Sequence, residues 1–237
     1  ILKQGVELEF DTTTRSMYRY SCDKGGDFHA ENVRIGNGEI FFDYISPLGN
    51  IEDVQLGVPV AINIENGIAA MALAQLSGAT NEEIKKGMAS FRGVDRRFDF
   101  KLKTNRVVYL SDYAHHPEEI SAALSSIRNS YPQMKMTVVF QPHLYTRTRD
   151  FADGFAAALS KADKLILLDI YPAREEPIPG VTSEIIFKDV TAPEKVLLKR
   201  SEFMEYMQNE EVELLVTLGA GDIDRFVGPI AKMLESR

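Results

Sequence analysis

Residues 111–119 read SDYAHHPEE and follow the apolar run RVVYL (106–110); residues 141–150 read QPHLYTRTRD and follow the apolar run MTVVF (136–140). Each run is short, β-branched or aromatic, and bounded by polar residues, which is the pattern of a buried strand. Each polar segment leads into a helical stretch. Pro117 suits the first position of the helix after the first run, because its missing N–H would be unpaired there anyway. The same alternation continues downstream. Residues 164–170, 195–198 and 213–218 read as strands, and 117–129, 148–162, 201–209 and 222–235 as helices. Strand–helix alternation argues for a parallel sheet with helices on both faces. In such sheets ligands bind outside the carboxyl ends of the strands. Three of the four histidines and two arginines spaced i, i+2 gather at those ends, which suits a phosphorylated, acidic ligand.

Upstream the pattern differs. Residues 5–60 read as short antiparallel strands at 6–10, 17–22, 32–35 and 39–46, separated by turn signals at Gly25-Gly26, Gly36-Asn37-Gly38 and Pro47-Leu48-Gly49. A helix over 63–76 follows, rich in small residues and ended by Gly78. Thr80 with Glu83 forms a capping-box pattern for a second helix, which runs to about residue 91 and stops before Gly93. The expected fold class is α/β. A Rossmann-like, mostly parallel sheet with helices on both faces over 94–237 is preceded by a partial α/β domain with antiparallel strands over 1–93. Residues 93–103 are expected to form a hinge.

The composition is that of a globular protein: 237 residues, 44% hydrophobic and 26% charged, which excludes disorder. A net charge of −8 disfavours binding to nucleic acid or an anionic membrane, so an anionic ligand needs a local basic cluster. Cys22 is the only cysteine, which rules out a disulfide within the chain and suits a reducing cytoplasm. No apolar run reaches bilayer-spanning length. The start at Ile1, without methionine or capping sequence, reads as a fragment boundary.

Several residues are candidates for chemistry, each with a plainer alternative. Asp112 ends its strand and is placed to accept hydrogen bonds from ribose, or else to shape a turn. His115 and His116 follow; adjacent histidines in a turn point apart, so phosphate or carboxylate contact fits better than a metal. Arg147 and Arg149 flank Thr148 and suit bidentate anion binding, or else bridge to Asp150 or Asp153. Arg96-Arg97-Phe98 lies at the junction, where one arginine can reach a phosphate. Asn63 and Asn66 open the first long helix, as adenine readers or as caps. Gly219 and Gly221 bring backbone close to a ligand at the last strand's end. No GxxxxGK[ST] occurs in the chain, so it carries no phosphate-cradling loop.

Six stretches, in this order, carry a resemblance: NIENGIAA (63–70), FRGVDRRF (91–98), DYAHHPEEI (112–120), FQPHLYTRTRDF (140–151), LLDIYPAREEPIPGVTS (167–183) and TLGAGDI (217–223). Together they resemble the Mur ligases, over the tail of the central domain (1–93) and the C-terminal domain (94–237). Within that family, QPHLYTRTRD with YPAREEPIPG resembles the branch that adds L-alanine to UDP-N-acetylmuramate. The resemblance implies an ATP-dependent ligase of peptidoglycan precursor synthesis, and so of cell-wall biogenesis, cell shape and division. The substrate carboxylate is phosphorylated and the acyl phosphate is attacked by the amino acid's amine. It implies Asn63 and Asn66 by the adenine, Arg97 by the ATP phosphates and Asp112 by the ribose. His115, Arg147 and Arg149 face the carboxylate, acyl phosphate and incoming alanine. Mg²⁺ is implied as cofactor, with ligands mainly in a part of the protein this chain lacks, so the chain alone is expected to be inactive. Two departures stand out: Ile62 replaces the family's usual histidine before Asn63, and Ser111 replaces the first of two acidic residues before Tyr113. Alternatives are a murein-recycling ligase that adds a peptide, and a non-catalytic ligand-binding module of the same fold. A dinucleotide-dependent oxidoreductase fails for want of GxGxxG after the first parallel strand.

Overall fold

The computed structural model describes residues 1–8, 16–23 and 25–237. The chain divides into two compact units, Ile1–Gly93 and Val94–Arg237.

In the first unit, strands β1 (Leu2–Lys3) and β2 (Arg19–Tyr20) pair in parallel. Strands β3 (His29–Gly36), β4 (Glu39–Ile45) and β5 (Ile51–Gln55) form an antiparallel sheet in that order. Strand β4 shows why: Ile40, Phe42 and Tyr44 are buried while Glu39, Phe41 and Asp43 alternate outward, the period of two that lays one face on a core. Asn37 and Gly38, both at positive φ, make the two-residue turn between β3 and β4, as a tight hairpin requires. Helix α1 (Ile62–Leu76) places Ile64, Ile68 and Met71 on this core. It ends in a Schellman motif: Gly78, at φ +92°, donates to Gln75 O (3.0 Å), and Ala79 to Ala74 O (3.0 Å). Helix α2 (Asn81–Ser90) opens on the Thr80–Glu83 capping box. Gln75 lies at the centre of a buried polar network. Its Oε1 accepts from Tyr44 Oη (3.2 Å) and Ser46 Oγ (2.6 Å), and its Nε2 donates to Gly49 O and Asn81 Oδ1.

In the second unit, β6 (Asp99–Lys103), β7 (Val108–Asp112), β8 (Met136–Phe140), β9 (Lys164–Leu168), β10 (Glu194–Leu198) and β11 (Leu214–Leu218) form one sheet in the order β10-β9-β8-β11-β7-β6. Every pairing is parallel except β6 with β7. Helices α3 (Pro117–Ser130) and α5 (Ala152–Leu159) pack together, and Phe155 of α5 meets Phe140 at 5.3 Å between centroids. The short helices α4 (Tyr145–Asp150) and α6 (Glu184–Phe187) flank α5. On the other face α7 (Phe203–Gln208) and α8 (Asp224–Glu235) cover Tyr109, Val139, Ile166 and Leu215. The helices after β7 and β8 thus lie on one face and the helix after β11 on the other. That divergence opens a crevice at the carboxyl ends of these three adjacent strands.

The structure corrects the sequence reading in several places. Val6–Leu8 is not a strand, and Glu9 and Phe10 lie outside the described residues. Only Arg19–Tyr20 of 17–22 is extended pairing, and its partner is parallel, not antiparallel. Strand β5 and helix α6 were not anticipated. The expected hinge at 93–103 contains β6, a paired edge strand preceded by buried Phe98; its DFKLK alternates polar and apolar side chains with a strand's period of two. The expected helix 148–162 starts earlier, at Tyr145, and breaks at Phe151.

Candidate active site at the carboxyl ends of three strands

Asp112 ends β7 as a half-buried joint between two turns. Its Oδ2 accepts from Phe98 N–H (2.7 Å) and its Oδ1 from Ala114 N–H (2.7 Å). Burial raises its carboxyl above the ordinary aspartate value, while these two amides and nearby Arg97 oppose the shift. Ser111 beside it is buried. Arg96 and Arg97 divide their work. Arg96 Nη2 donates to the carbonyls of Gly219 (3.1 Å) and Gly221 (3.4 Å), its Nε pairs with Asp224 (3.1 Å), and its guanidinium lies 4.7 Å over the Tyr113 ring. It binds the segment before β6 to the turn after β11. Arg97 is exposed.

The segment after β7 holds His115 and caps α3. His115 Nδ1 donates to Tyr113 O (3.0 Å), which leaves Nε2 as the acceptor in the neutral ring. Glu119 accepts from the backbone N–H groups of His115 (3.1 Å) and His116 (3.3 Å), while His116 Nδ1 accepts from Glu118 N–H (3.4 Å). His116 is therefore a cap, with its ring against Phe151 at 4.8 Å.

The segment after β8 carries Gln141, His143 and Arg147. Gln141 is buried; its Oε1 accepts from Ile223 N–H (2.9 Å) and its Nε2 donates to Asp222 (3.0 Å). His143 lies 6.3 Å from His115 between ring centroids, and Arg147 Nη1 donates to His143 Nδ1 (3.3 Å). Burial holds the His143 ring below the ordinary histidine range, and Arg147 adds to this. Leu144 sits at φ +73° and ψ 135°, a conformation costing on the order of 1–3 kcal/mol, and its N–H is bound by Tyr171 O (3.0 Å).

Asp112, His115 and Arg147 are thus gathered at the ends of β7 and β8, with His143 linking His115 to Arg147. His143 was counted in the sequence among the gathered histidines without a role; the signal was its place directly after a buried strand. Arg149 does not join them. It is exposed and paired with Asp150 (2.7 Å), and residues two apart on a helix point about 200° apart. The arrangement seen here brings Arg147 together with a histidine, and leaves Arg149 on Asp150. Gly219 and Gly221 serve packing: a Cβ on Gly221 would lie 2.8 Å from both Gln141 Oε1 and Tyr171 Cβ, and one on Gly219 2.9 Å from Gln141 O. Asn63 and Asn66 open α1 in the first unit, where Asn66 Nδ2 donates to Asn63 Oδ1 (3.2 Å) and Asn63 Nδ2 to Val58 O (3.3 Å). Among the described residues no group of three or more His, Cys, Asp or Glu side chains is placed to hold a metal. No described helix is long and apolar enough to cross a membrane.

Comparison with known proteins bears on this arrangement. The family profile described as Mur ligase, glutamate ligase domain matches residues 96–223. The chain is 59% identical, over 100% of its length, to a protein named UDP-N-acetylmuramate–L-alanine ligase from Phocaeicola vulgatus, of which it covers 52%. It is 56% identical to the protein of that name from Parabacteroides distasonis, over 92% of this chain and 47% of that one. The chain spans about half the length of the curated relatives it matches. Its fold is similar to the crystal structure of UDP-N-acetylmuramate–alanine ligase from Thermotoga maritima, with a TM-score of 0.75 at 22% identity over 92% of this chain and 48% of that one. A folylpolyglutamate synthase from the same organism gives a TM-score of 0.69 at 19% identity over 90% and 48%. With its profile matched across the strand ends that carry Asp112, His115, His143 and Arg147, the chain belongs to the Mur ligase family.

Proposed function

We propose that this chain forms part of an ATP-dependent ligase that joins L-alanine to the carboxylate of UDP-N-acetylmuramate, in the synthesis of peptidoglycan precursors in the cytoplasm. The observation that carries this reading is the 59% identity across the whole chain to a relative bearing that name. Residues 94–237 are the C-terminal domain of such a ligase and 1–93 belong to its ATP-binding central domain. Phosphoryl transfer from ATP to the carboxylate gives an acyl phosphate; the amine of L-alanine attacks it, an amide forms and phosphate leaves.

The geometry supports roles for particular side chains. Arg147, half-buried and free of a carboxylate partner among the described residues, offers its remaining N–H groups to a carboxylate or acyl phosphate oxygen. Positive charge preorganised where negative charge develops is the main way such sites accelerate transfer. His115, with Nε2 left as acceptor, is suited to the proton of the incoming amine. Asp112 shapes the turn that presents His115 and contacts ribose. Arg97 is left for the ATP phosphates, and Asn63 with Asn66 for the adenine. Arg149, exposed and paired with Asp150, is left a lesser part in holding the same anionic groups. Mg²⁺, which neutralises phosphate charge when bound, takes its ligands mainly outside this chain.

The test is a ligation assay on the full-length protein. ADP release should require both UDP-N-acetylmuramate and L-alanine, and the product mass should correspond to one added alanine. Ligation of a peptide in preference to alanine would move the assignment to the recycling branch. Absence of any ligation would leave a binding module.

A further inference from the structure

The segment after β9 grips the segment after β8 at four points. Tyr171 N–H donates to Pro142 O (2.8 Å), and Leu144 N–H donates to Tyr171 O (3.0 Å). The Tyr171 ring stacks on His143 at 5.8 Å between centroids and 25° between planes. Beyond the turn closed by Glu175 N–H on Pro172 O (2.9 Å), the Glu175 carboxylate takes both donors of Thr146: Oε2 accepts the backbone N–H (3.0 Å) and Oε1 the hydroxyl (2.5 Å). Thr146 is the second residue of α4, and Arg147 is the next. Leu144 at φ +73° lies between the Tyr171 and Glu175 contacts. A left-handed leucine persists only where its surroundings over-determine it, and here the surroundings are this grip.

We infer that Glu175 is a positioning residue: by binding both donors of Thr146 it fixes the start of α4 so that Arg147 donates to His143 Nδ1, which sets the histidine as its Nε2–H tautomer. The catalytic meaning of this pair rests on the ligase reading above; the geometry does not. Hydrogen bonds from Thr146 also lower the Glu175 carboxyl from the ordinary glutamate value, so the carboxylate is charged at neutral pH. Its charge and its grip act on His143 in opposite directions. The charged or titratable groups that act on His143 are Arg147, His115 and Arg174, which disfavour its protonation, and Glu175, which favours it, with Arg147 the strongest of the four. If Glu175 acted only through charge, removing it would lower the His143 pKa. If it acts by holding Arg147 on Nδ1, removing it frees that nitrogen and raises the pKa.

The experiment is NMR of ¹⁵N-histidine in the 237-residue chain, with His143 assigned by its loss in His143→Gln. It is run on the parent, Glu175→Ala and Glu175→Gln. The parent should show a single Nε2–H tautomer. Glu175→Ala should show mixed tautomers and an upward pKa shift. Glu175→Gln keeps one acceptor for Thr146 and should stay close to the parent. In the full-length enzyme Glu175→Ala should lower kcat on the order of 10- to 100-fold with the KM for ATP unchanged, and Glu175→Gln should restore most of the loss. A downward pKa shift in Glu175→Ala, or a Glu175→Gln variant as perturbed as Glu175→Ala, would overturn the positioning role. The tautomer result without any ligase activity would leave the grip standing and sink the ligase reading instead.

Discussion

Replacing Gly221 by alanine should destabilise the second unit although it adds one methyl group to a loop. A Cβ there would meet Gln141 Oε1 and Tyr171 Cβ at 2.8 Å and Tyr171 Cγ at 2.9 Å, where 3.4–4 Å is ordinary contact. Neither neighbour yields easily. Gln141 Oε1 is held by Ile223 N–H, its Nε2 by Asp222, and the Tyr171 backbone bonds in both directions to the segment after β8. Overpacking a rigid site costs about 1–3 kcal/mol, and losing the buried Gln141–Ile223 bond adds about 1 kcal/mol. The lower entropy of the unfolded alanine chain returns about 0.4–1 kcal/mol. A net loss of roughly 1–3 kcal/mol follows. Gly219→Ala should cost more: its φ of +144° suits glycine alone, and its Cβ would lie 2.9 Å from a backbone oxygen, which a side-chain rotation cannot relieve. Urea unfolding of the chain, followed at probes within each unit, measures both. The transition of the second unit should shift to lower urea and that of the first should stay. Gly221→Ala as stable as the parent would refute the packing role and return these glycines to close ligand approach.

Gly87→Ala should do the opposite: the site is an exposed interior position of α2 with nothing within 4 Å of the new Cβ. The first unit should gain about 0.5–1 kcal/mol in urea unfolding. Burial pushes the Tyr44 hydroxyl up to about 12, so the unfolded chain ionises first. Stability of the first unit should fall as pH rises from about 10 towards 12, by up to about 1.4 kcal/mol per pH unit. Tyr44→Phe, compared with the parent by urea unfolding at several pH values, should lack that part of the slope. Arg147→Ala in the full-length enzyme should lower turnover about 10²- to 10³-fold with little change in melting temperature. Arg149→Ala, which breaks only an exposed pair with Asp150, should cost far less. Equal losses in steady-state assays of the two variants would restore the two-arginine clamp.

Much of the fold was legible locally. Strand β8 begins and ends where its apolar run does, and the capping box at Thr80 and the Gly78 stop stand where the residues put them. These features depend on neighbours within a few residues. Strand β6, whose DFKLK alternates polar and apolar side chains, carries a local strand signal, and what the pairing with β7 alone fixed is its place at the sheet edge. The break at Phe151 was hidden inside a continuous helical pattern. At the site, Asp112, His115 and Arg147 were visible from their place after buried strands. The divergence of Arg149 follows from where α4 starts, two residues before Arg147.

What the sequence determined by itself is the alternation of strands and helices, the strand ends at which polar residues collect, and the family, because each is written in short contiguous stretches. The tertiary structure alone decided that β11, last in the chain, inserts between β7 and β8 and so opens the crevice. It decided that Gly221 faces Gln141 across 80 residues, that Arg96 rather than Arg97 binds the turn after β11, and that Glu175 reaches Thr146. Those contacts join residues about 30 to 125 positions apart. Their strength depends on direction and distance to within a few tenths of an ångström, and no periodicity along the chain encodes that.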